Sequence, residues 1–424
     1  MSNTARLSFG ALMLFAAAGA CVVVLHILFS TLSISFVVHL DKEPFEIGKL
    51  NNWARTISAS VVLIYCAVIS RQEKAKNLFK SGLIVAGCLM AGGLSLGALV
   101  PYVGKLFLAV LSMTAFHLGV ALQVVTFFAW AFYLSSGAHG RSQIFLANAA
   151  FVSVISAFWT LLIASWIDPL SLIEIDTVLW LCVLFVGIPV SIVAVKFGDP
   201  PSVKSEGISL WLDIKNLVVG RSLWALMLLY AYAGGLIFLL AATVLGRSDH
   251  MSFAIDLPHL QLNLKQASIF YSALGTVLLL PALYRLVLRF GKRTALNVCV
   301  GLLLIGAVLI YPASDWPVAY QILFTIMVGG GVGAIAALVL TTVADFCAYD
   351  GQIRGSPRPM LIVALLYFAS VALGSAMMSL MSAVSNLGHM LLAVVVTFIL
   401  IGLVPTKKFA RQQAVGPAES VPNS

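Results

Sequence analysis

Four polar residues recur at helical spacing in the stretch NNWARTISAS, which runs directly into the apolar stretch VVLIYCAVIS. Asn51, Asn52, Arg55 and Ser58 share one broad face of a helix, because helix faces repeat about every 3.6 residues. The planar, permanently charged fork of Arg55 suits carboxylate or phosphate groups, which it binds through two parallel hydrogen bonds. We therefore expect this face to bind an anionic group.

Two histidines lie inside other apolar stretches. His26, in CVVVLHILFSTLS, shares a helix face with Ser30 and Ser33, and His117 lies in MTAFHLGVALQ. An imidazole titrates near neutral pH, so either ring could carry a proton. The alternative for each is a neutral histidine that hydrogen-bonds to an adjacent helix.

The elements that must position these residues are membrane-spanning helices. The chain is 61% hydrophobic and 10% charged, with a mean hydropathy of +1.04, and about 20 apolar residues suffice to cross a bilayer once. The apolar runs are continuous rather than alternating, which predicts helices and no strands. They predict twelve spans, numbered 1 to 12, at 8–38, 46–69, 78–100, 106–135, 143–167, 177–197, 221–245, 266–288, 294–311, 318–343, 359–383 and 386–404.

Arg55 falls near the middle of span 2. A guanidinium at that depth costs about 2.5–3.5 kcal/mol on insertion scales, so the sequence must compensate for it. One hypothesis is that an anionic ligand binds there. The alternative is that Arg55 hydrogen-bonds to neighbouring helices, or extends outward until Glu46 or Asp41 meets it.

The basic residues predict the orientation. With the N-terminus inside, most of the 25 lysines and arginines fall in inner segments. Apart from Arg55, the exceptions are Lys42, Lys49, Lys105, Arg247 and Lys265. This bias follows the positive-inside rule and predicts that both termini are cytoplasmic, in a bacterial inner membrane. The net charge of +9 then reflects topology and does not indicate nucleic-acid binding.

The longest inner polar interruption divides the chain into two halves. Residues 198–220 contain a Pro-Pro pair and mixed charge, which is typical of a linker. We expect an N-terminal six-helix bundle at 1–197, a C-terminal six-helix bundle at 221–404 and a cytoplasmic tail at 405–424. Paired six-helix halves with a shared midplane site are typical of secondary transporters.

The turn between spans 8 and 9 carries a family resemblance. Its sequence RFGKR, at 289–293, resembles the inner-loop signature of the major facilitator superfamily, with Tyr284 and Leu288 where the family has Gly and Asp. The resemblance implies an all-α membrane protein with twelve transmembrane helices in two pseudo-symmetric bundles. It also implies that spans 1, 4, 7 and 10 line a central cavity and that Arg289, Gly291 and Arg293 act in gating.

The loop between spans 10 and 11 carries a second, local resemblance. TTVADFCAYDGQIRGSPR is similar to the corresponding loop of the glycoside–pentoside–hexuronide:cation symporters, with matches at Ala344, Asp345, Tyr349, Asp350 and Gly355. We therefore add Asp345 and Asp350 to the gating candidates. Ala348 replaces a family Asp, and span 2 has no counterpart of the family's cation-binding aspartates.

The sequence thus predicts a transporter of a small solute with an anionic group. The site candidates are Arg55, Asn51, Asn52, His26 and His117 in the first half, and Tyr230, Tyr232, Tyr271 and Gln321 in the second. A sugar:cation symporter is the alternative, and a receptor or assembly factor of the same fold is a third hypothesis. We expect a monomer in membrane lipid, with a small-molecule substrate, a proton or sodium ion as the candidate coupling partner, and no cofactor, metal or enzymatic activity.

Overall fold

The computed structural model describes residues 8–69, 78–135, 137–166, 175–197, 255–257, 260–262, 264–310, 317–354 and 359–381. Spans 7 and 12, the linker and the C-terminal tail lie outside these ranges. The helices are α1 (Phe9–Ala20), α2 (Val23–His39), α3 (Pro44–Ile69), α4 (Leu78–Val103), α5 (Leu106–Leu134), α6 (Gly137–Trp166), α7 (Ile175–Cys182), α8 (Ile188–Lys196), α9 (Leu264–Phe290), α10 (Lys292–Ile310), α11 (Val318–Arg354) and α12 (Pro359–Met381).

The helices match ten of the predicted spans, and two of those spans are interrupted. Span 1 is divided into α1 and α2 by a turn at Cys21 and Val22. Span 6 is α7 and α8 joined by a π turn, Val183–Gly187. Pro189 explains the π turn, because a proline lacks the N–H that an α-helical turn requires and its ring crowds the preceding turn.

One predicted helix end is wrong, and one small element lies outside the predicted spans. Span 10 was predicted to end at 343, before Asp345, but α11 continues to Arg354; the aspartate does not mark a helix end because its charge is paired inside the protein. A short antiparallel hairpin, β1 (Ile255–Leu257) and β2 (Leu260–Leu262), lies in the loop between spans 7 and 8, outside the apolar runs that predicted helices.

Seven helical stretches in the described ranges are long and apolar enough to cross a membrane. Large apolar side chains cover their outer surfaces; Phe107 and Trp180 are 75% and 73% exposed. In water such exposure would be unfavourable, whereas lipid tails are as apolar as these side chains. The surface therefore fits a multi-pass membrane protein.

The helices pack as two groups that meet along a seam. In the first half, α4 and α3 pack on α5, and α1 packs on α6; in the second half, α9 and α10 pack on α11. The seam between the halves consists of α6 against α9 and α11, and of α3 and α5 against α12. This seam positions the polar residues described below.

Small residues allow α9 and α11 to cross in backbone contact. A Cβ atom added at Gly275 or Gly329 would collide with the main chain of the other helix. Thr276 Oγ1 donates a hydrogen bond across this crossing to the Gly329 carbonyl at 3.2 Å. Close packing of this kind is what associates helices in lipid, where burial of apolar surface contributes little.

Candidate functional site

The polar face of α3 points into the protein, as its spacing predicted. Asn51 Oδ1 accepts a hydrogen bond from His117 Nε2 of α5 at 2.7 Å, and Ser58 Oγ donates to the Thr114 carbonyl of α5 at 3.1 Å. Trp53, on the opposite face of α3, is largely exposed. The helix therefore places its apolar side towards lipid and its polar side against α5.

Arg55 lies between the two halves. Its side chain is half-buried, and its guanidinium hydrogen-bonds to the side chain of Tyr367 on α12. Tyr367 is 8% exposed and belongs to the second half. The contact shows that the arginine is held inside the seam, so it does not extend to the outer surface.

The acids considered as outer partners of Arg55 are engaged or exposed. Glu46 forms an ion pair with Lys42 at 3.7 Å on the outer surface, and Asp41 is exposed. Within the described ranges, no carboxylate forms an ion pair with Arg55. The phenol of Tyr367 is neutral, so it satisfies a donor of the guanidinium without neutralising its charge.

The two histidines lie beside Arg55, around a stacked aromatic pair. The rings of Phe29 and Phe116 stack with their centroids 4.0 Å apart. His26 contacts Phe116 edge-on at 5.5 Å, and His117 contacts Phe29 edge-on at 5.4 Å. The charge of Arg55 acts on both imidazoles, so the structure brings three predicted site residues from three helices into one cluster.

The side chains of this cluster differ in how far they are exposed. His117 is 7% exposed, and Phe116 is fully buried. His26 is exposed, while Asn51, Asn52 and Arg55 are half-buried. The accessible polar atoms are therefore those of one imidazole, two amides and one guanidinium, with an apolar aromatic support behind them.

The predicted site residues of the second half are only partly described. Tyr271 is half-buried on α9, and Gln321 is 2% exposed in the first turn of α11. Tyr230 and Tyr232 lie outside the described residues. Tyr367, which the sequence did not nominate, is the second-half residue that contacts Arg55.

A second polar group, the ionic layer, consists of Arg141, Lys292 and Asp345. Arg141 Nε donates to Asp345 Oδ1 at 3.0 Å, and Lys292 Nζ donates to Asp345 Oδ2 at 2.5 Å. The three side chains are only 6%, 10% and 7% exposed. Arg141 is on α6 and the other two are on α10 and α11, so one carboxylate connects the halves while it balances two cations.

The residues predicted to act in gating have different surroundings in the structure. Asp345 is in the ionic layer, but the cation that reaches it from the RFGKR turn is Lys292, whereas Arg289 and Arg293 are exposed. Gly291 has φ +84°, which suits a glycine in the tight turn between α9 and α10. The side chain of Asp350 lies outside the described residues. Sequence reasoning missed Arg141 and Lys292, because their shared carboxylate is on a third helix.

Further contacts join the two halves near the ionic layer. Gln143 Nε2 of α6 donates to the Tyr284 hydroxyl of α9 at 2.9 Å. A small apolar cavity beside the ionic layer has aromatic walls from the first half and aliphatic walls from the second. Its lining is Phe128, Phe132, Phe145, Leu340, Val343, Ala344, Cys347, Pro359 and Val363. These contacts hold the two halves together near the ionic layer, while polar groups around Arg55 remain accessible.

Comparisons with known proteins agree on the fold. No protein-family model and no curated protein sequence matches the chain. Among solved structures, it is similar to the major facilitator superfamily transporter FucP in the outward conformation, with a TM-score of 0.65 and 13% identity over 95% of this chain and 98% of that one.

Two further structures are similar over nearly their whole length. A single-residue variant of the E. coli fucose:proton symporter FucP gives a TM-score of 0.63 at 15% identity, covering 96% of this chain and 99% of that one. A bacterial homologue of the iron transporter ferroportin, in an outward-facing state, gives 0.65 at 11% identity, covering 96% and 100%. The chain therefore has the fold of the major facilitator superfamily transporters, as its RFGKR turn predicted.

Proposed function

We propose that the protein is a secondary transporter that carries a small solute with an anionic group across the membrane by alternating access. The observation that carries this proposal is Arg55, a guanidinium held at the seam between the halves with a neutral partner, Tyr367. A buried cation without a carboxylate is costly. A solute that brings the negative charge removes this cost when it binds.

The groups around Arg55 suit such a solute. The guanidinium can donate two parallel hydrogen bonds to a carboxylate or phosphate, and the low dielectric of the site strengthens them. The amides of Asn51 and Asn52 and the imidazole of His26 can bind the polar remainder of the solute. Tyr271, Gln321, Tyr230 and Tyr232 are the residues we propose for the second-half wall.

Alternating access requires the inner seam to open. The ionic layer closes it in this conformation through the buried pair of Arg141 and Asp345, and opening must separate that pair. We propose Asp345 as the main gating residue, with the turn at Gly291, its flanking arginines Arg289 and Arg293, and Asp350 as the segment that moves. The halves would then rock as bundles 1–197 and 221–404, connected by the linker 198–220.

The proposed setting is a bacterial inner membrane, with both termini cytoplasmic and the protein working as a monomer. Driving force must come from an ion gradient or from exchange. The candidate coupling ions are a proton, carried by His26 or His117, and sodium.

A neutral sugar carried with a cation is the second candidate. Two observations favour it: the loop at 341–358 resembles that of the sugar:cation symporters, and one similar structure is a fucose:proton symporter. A sugar would use the amides and the aromatic pair and would leave Arg55 without a counter-charge. A receptor or assembly factor of this fold would bind its ligand without net flux.

A thermal-shift screen of the purified protein separates these candidates, because a specific ligand stabilises the folded state by mass action. The panel includes lactate, succinate, glutamate, phosphate, fucose and a glycoside. We expect an anion to raise the melting temperature of the wild-type protein and to have no effect on Arg55→Gln. Stabilisation by a neutral sugar alone, equal in both proteins, would favour the second candidate.

A further inference from the structure

Among the residues that the structure describes, the helices around Arg55 provide no negative charge. Its neighbours are on α2, α5 and α12, and the sequences of these helices contain no aspartate or glutamate. The acid of α3, Glu46, is paired with Lys42 on the surface. Asp345, buried at the inner seam, already balances Arg141 and Lys292.

The positive charge of Arg55 matters most in the intermediate state, in which the site is closed to both sides of the membrane. In the present conformation Arg55 is half-buried, so part of the guanidinium remains accessible to water. For the inner side to open, the outer part of the seam must close over the site. Closing it removes that water from a cation whose partner, Tyr367, is neutral, and the free-energy cost falls on the empty protein.

A bound anion changes this balance. One carboxylate or phosphate group on Arg55 makes the sealed site electrically neutral, so the loaded protein passes through the sealed state more easily than the empty one. A proton on His26 or His117 acts in the opposite direction, since it adds a second positive charge beside the first. Proton uptake by these rings therefore cannot replace the anion.

We infer that the protein is an anion exchanger: it crosses between its two open states with an anion bound and returns only with another anion, because Arg55 opposes the return of the empty site. This inference rests on the proposed function and adds the transport mode to it. The exchanged solutes are small organic or inorganic anions with one group that fits a single guanidinium.

The first test needs no ligand and uses Cys347 as a reporter of inner opening. This residue is 1% exposed and lines the cavity at the inner seam, so opening should expose it. In a variant with Cys347 as its only cysteine, labelling is measured with a membrane-impermeant maleimide in inside-out vesicles free of organic anions and phosphate. We expect Arg55→Gln to increase the labelling rate by about tenfold or more, because the empty site can then cross.

Two controls separate charge from contact. Tyr367→Phe removes the hydrogen bond but keeps the cation, so its labelling rate should stay within about twofold of the parent. Lys105→Gln removes an exposed outer cation and should leave the rate unchanged. An Arg55→Gln rate equal to the parent rate overturns the inference, and so does a Tyr367→Phe rate as high as that of Arg55→Gln.

The second test measures exchange directly. Radiolabelled lactate, succinate and phosphate are the probes, offered to proteoliposomes that are either empty or preloaded with the same unlabelled anion. We expect at least one probe to enter preloaded vesicles about tenfold faster than empty ones. Equal entry into both overturns exchange but leaves the anion transporter intact. Entry of no probe into either contradicts the proposed function itself.

Discussion

Arg141 and Asp345, which are 204 residues apart in the sequence, form a buried ion pair across the seam between the two halves, with Nε 3.0 Å from Oδ1. Lys292 binds the other oxygen of the same carboxylate. One carboxylate is thus the counter-charge of two buried cations at this end of the seam. Removing that charge leaves two buried cations without a counter-ion.

Asp345→Asn should therefore open the inner side. Breaking a buried ion pair by removing one partner costs about 3–5 kcal/mol, and here the cost falls on the conformation that buries the layer. We expect faster labelling of Cys347 by a membrane-impermeant maleimide from the inner side. Asp176→Asn is the matched control, because Asp176 is exposed. A parent-like rate in Asp345→Asn would show that the ionic layer does not hold the seam.

Arg55→Lys should weaken the solute site without removing its charge. Lysine keeps the positive charge but loses the planar fork, so at least one charged hydrogen bond is lost, which corresponds to about tenfold in uptake. The measurement is uptake of the anion found in the thermal-shift screen. Arg285→Lys, at an exposed position, is the control. Wild-type uptake in Arg55→Lys would count against two-point binding of the anion.

His117→Ala should loosen the contact between α3 and α5. The substitution leaves the Asn51 amide without its 2.7 Å partner, at a cost of about 1 kcal/mol or more, and should lower the melting temperature. His117→Gln can donate from a similar position and should recover most of the loss. If alanine and glutamine behave alike, this hydrogen bond does not position the site.

Gly275→Ala should disrupt the crossing of α9 and α11. The added methyl group meets the backbone at Ile326, and overpacking of this kind costs about 1–3 kcal/mol. Thermal unfolding in detergent is the readout. Gly301→Ala is the matched control, since a methyl group there meets nothing within 4 Å. Equal melting temperatures for the two variants would mean that α9 and α11 can move apart without a loss of stability.

The first-half part of the site was predictable from the sequence. Asn51, Arg55 and Ser58 share a helix face, and a polar face in lipid must turn inward, so their inward orientation follows from their spacing. For His26 and His117 the interior position was implied by the resemblance to the major facilitator superfamily, in which spans 1 and 4 line the central cavity. For α3 the signal is local to one helix, because it consists of polar residues at a fixed interval in an apolar run.

The second-half contacts were not predictable in this way. Tyr367 is one of several tyrosines in apolar runs, and its role depends on the packing of α12 against α3, which no local pattern encodes. Arg141, Lys292 and Asp345 come from three helices, and each alone resembles an ordinary inner-surface charge. The break at Cys21 also has no local signal, since no proline lies nearby.

The central claim is that Arg55 binds the anionic group of the transported solute. Its most direct test is uptake of the stabilising anion into proteoliposomes by the wild-type protein and by Arg55→Gln, with neutral fucose as a parallel solute. We predict that the wild-type protein takes up the anion and excludes fucose, and that Arg55→Gln loses anion uptake while its melting temperature without ligand is retained. Undiminished anion uptake by Arg55→Gln would contradict the claim.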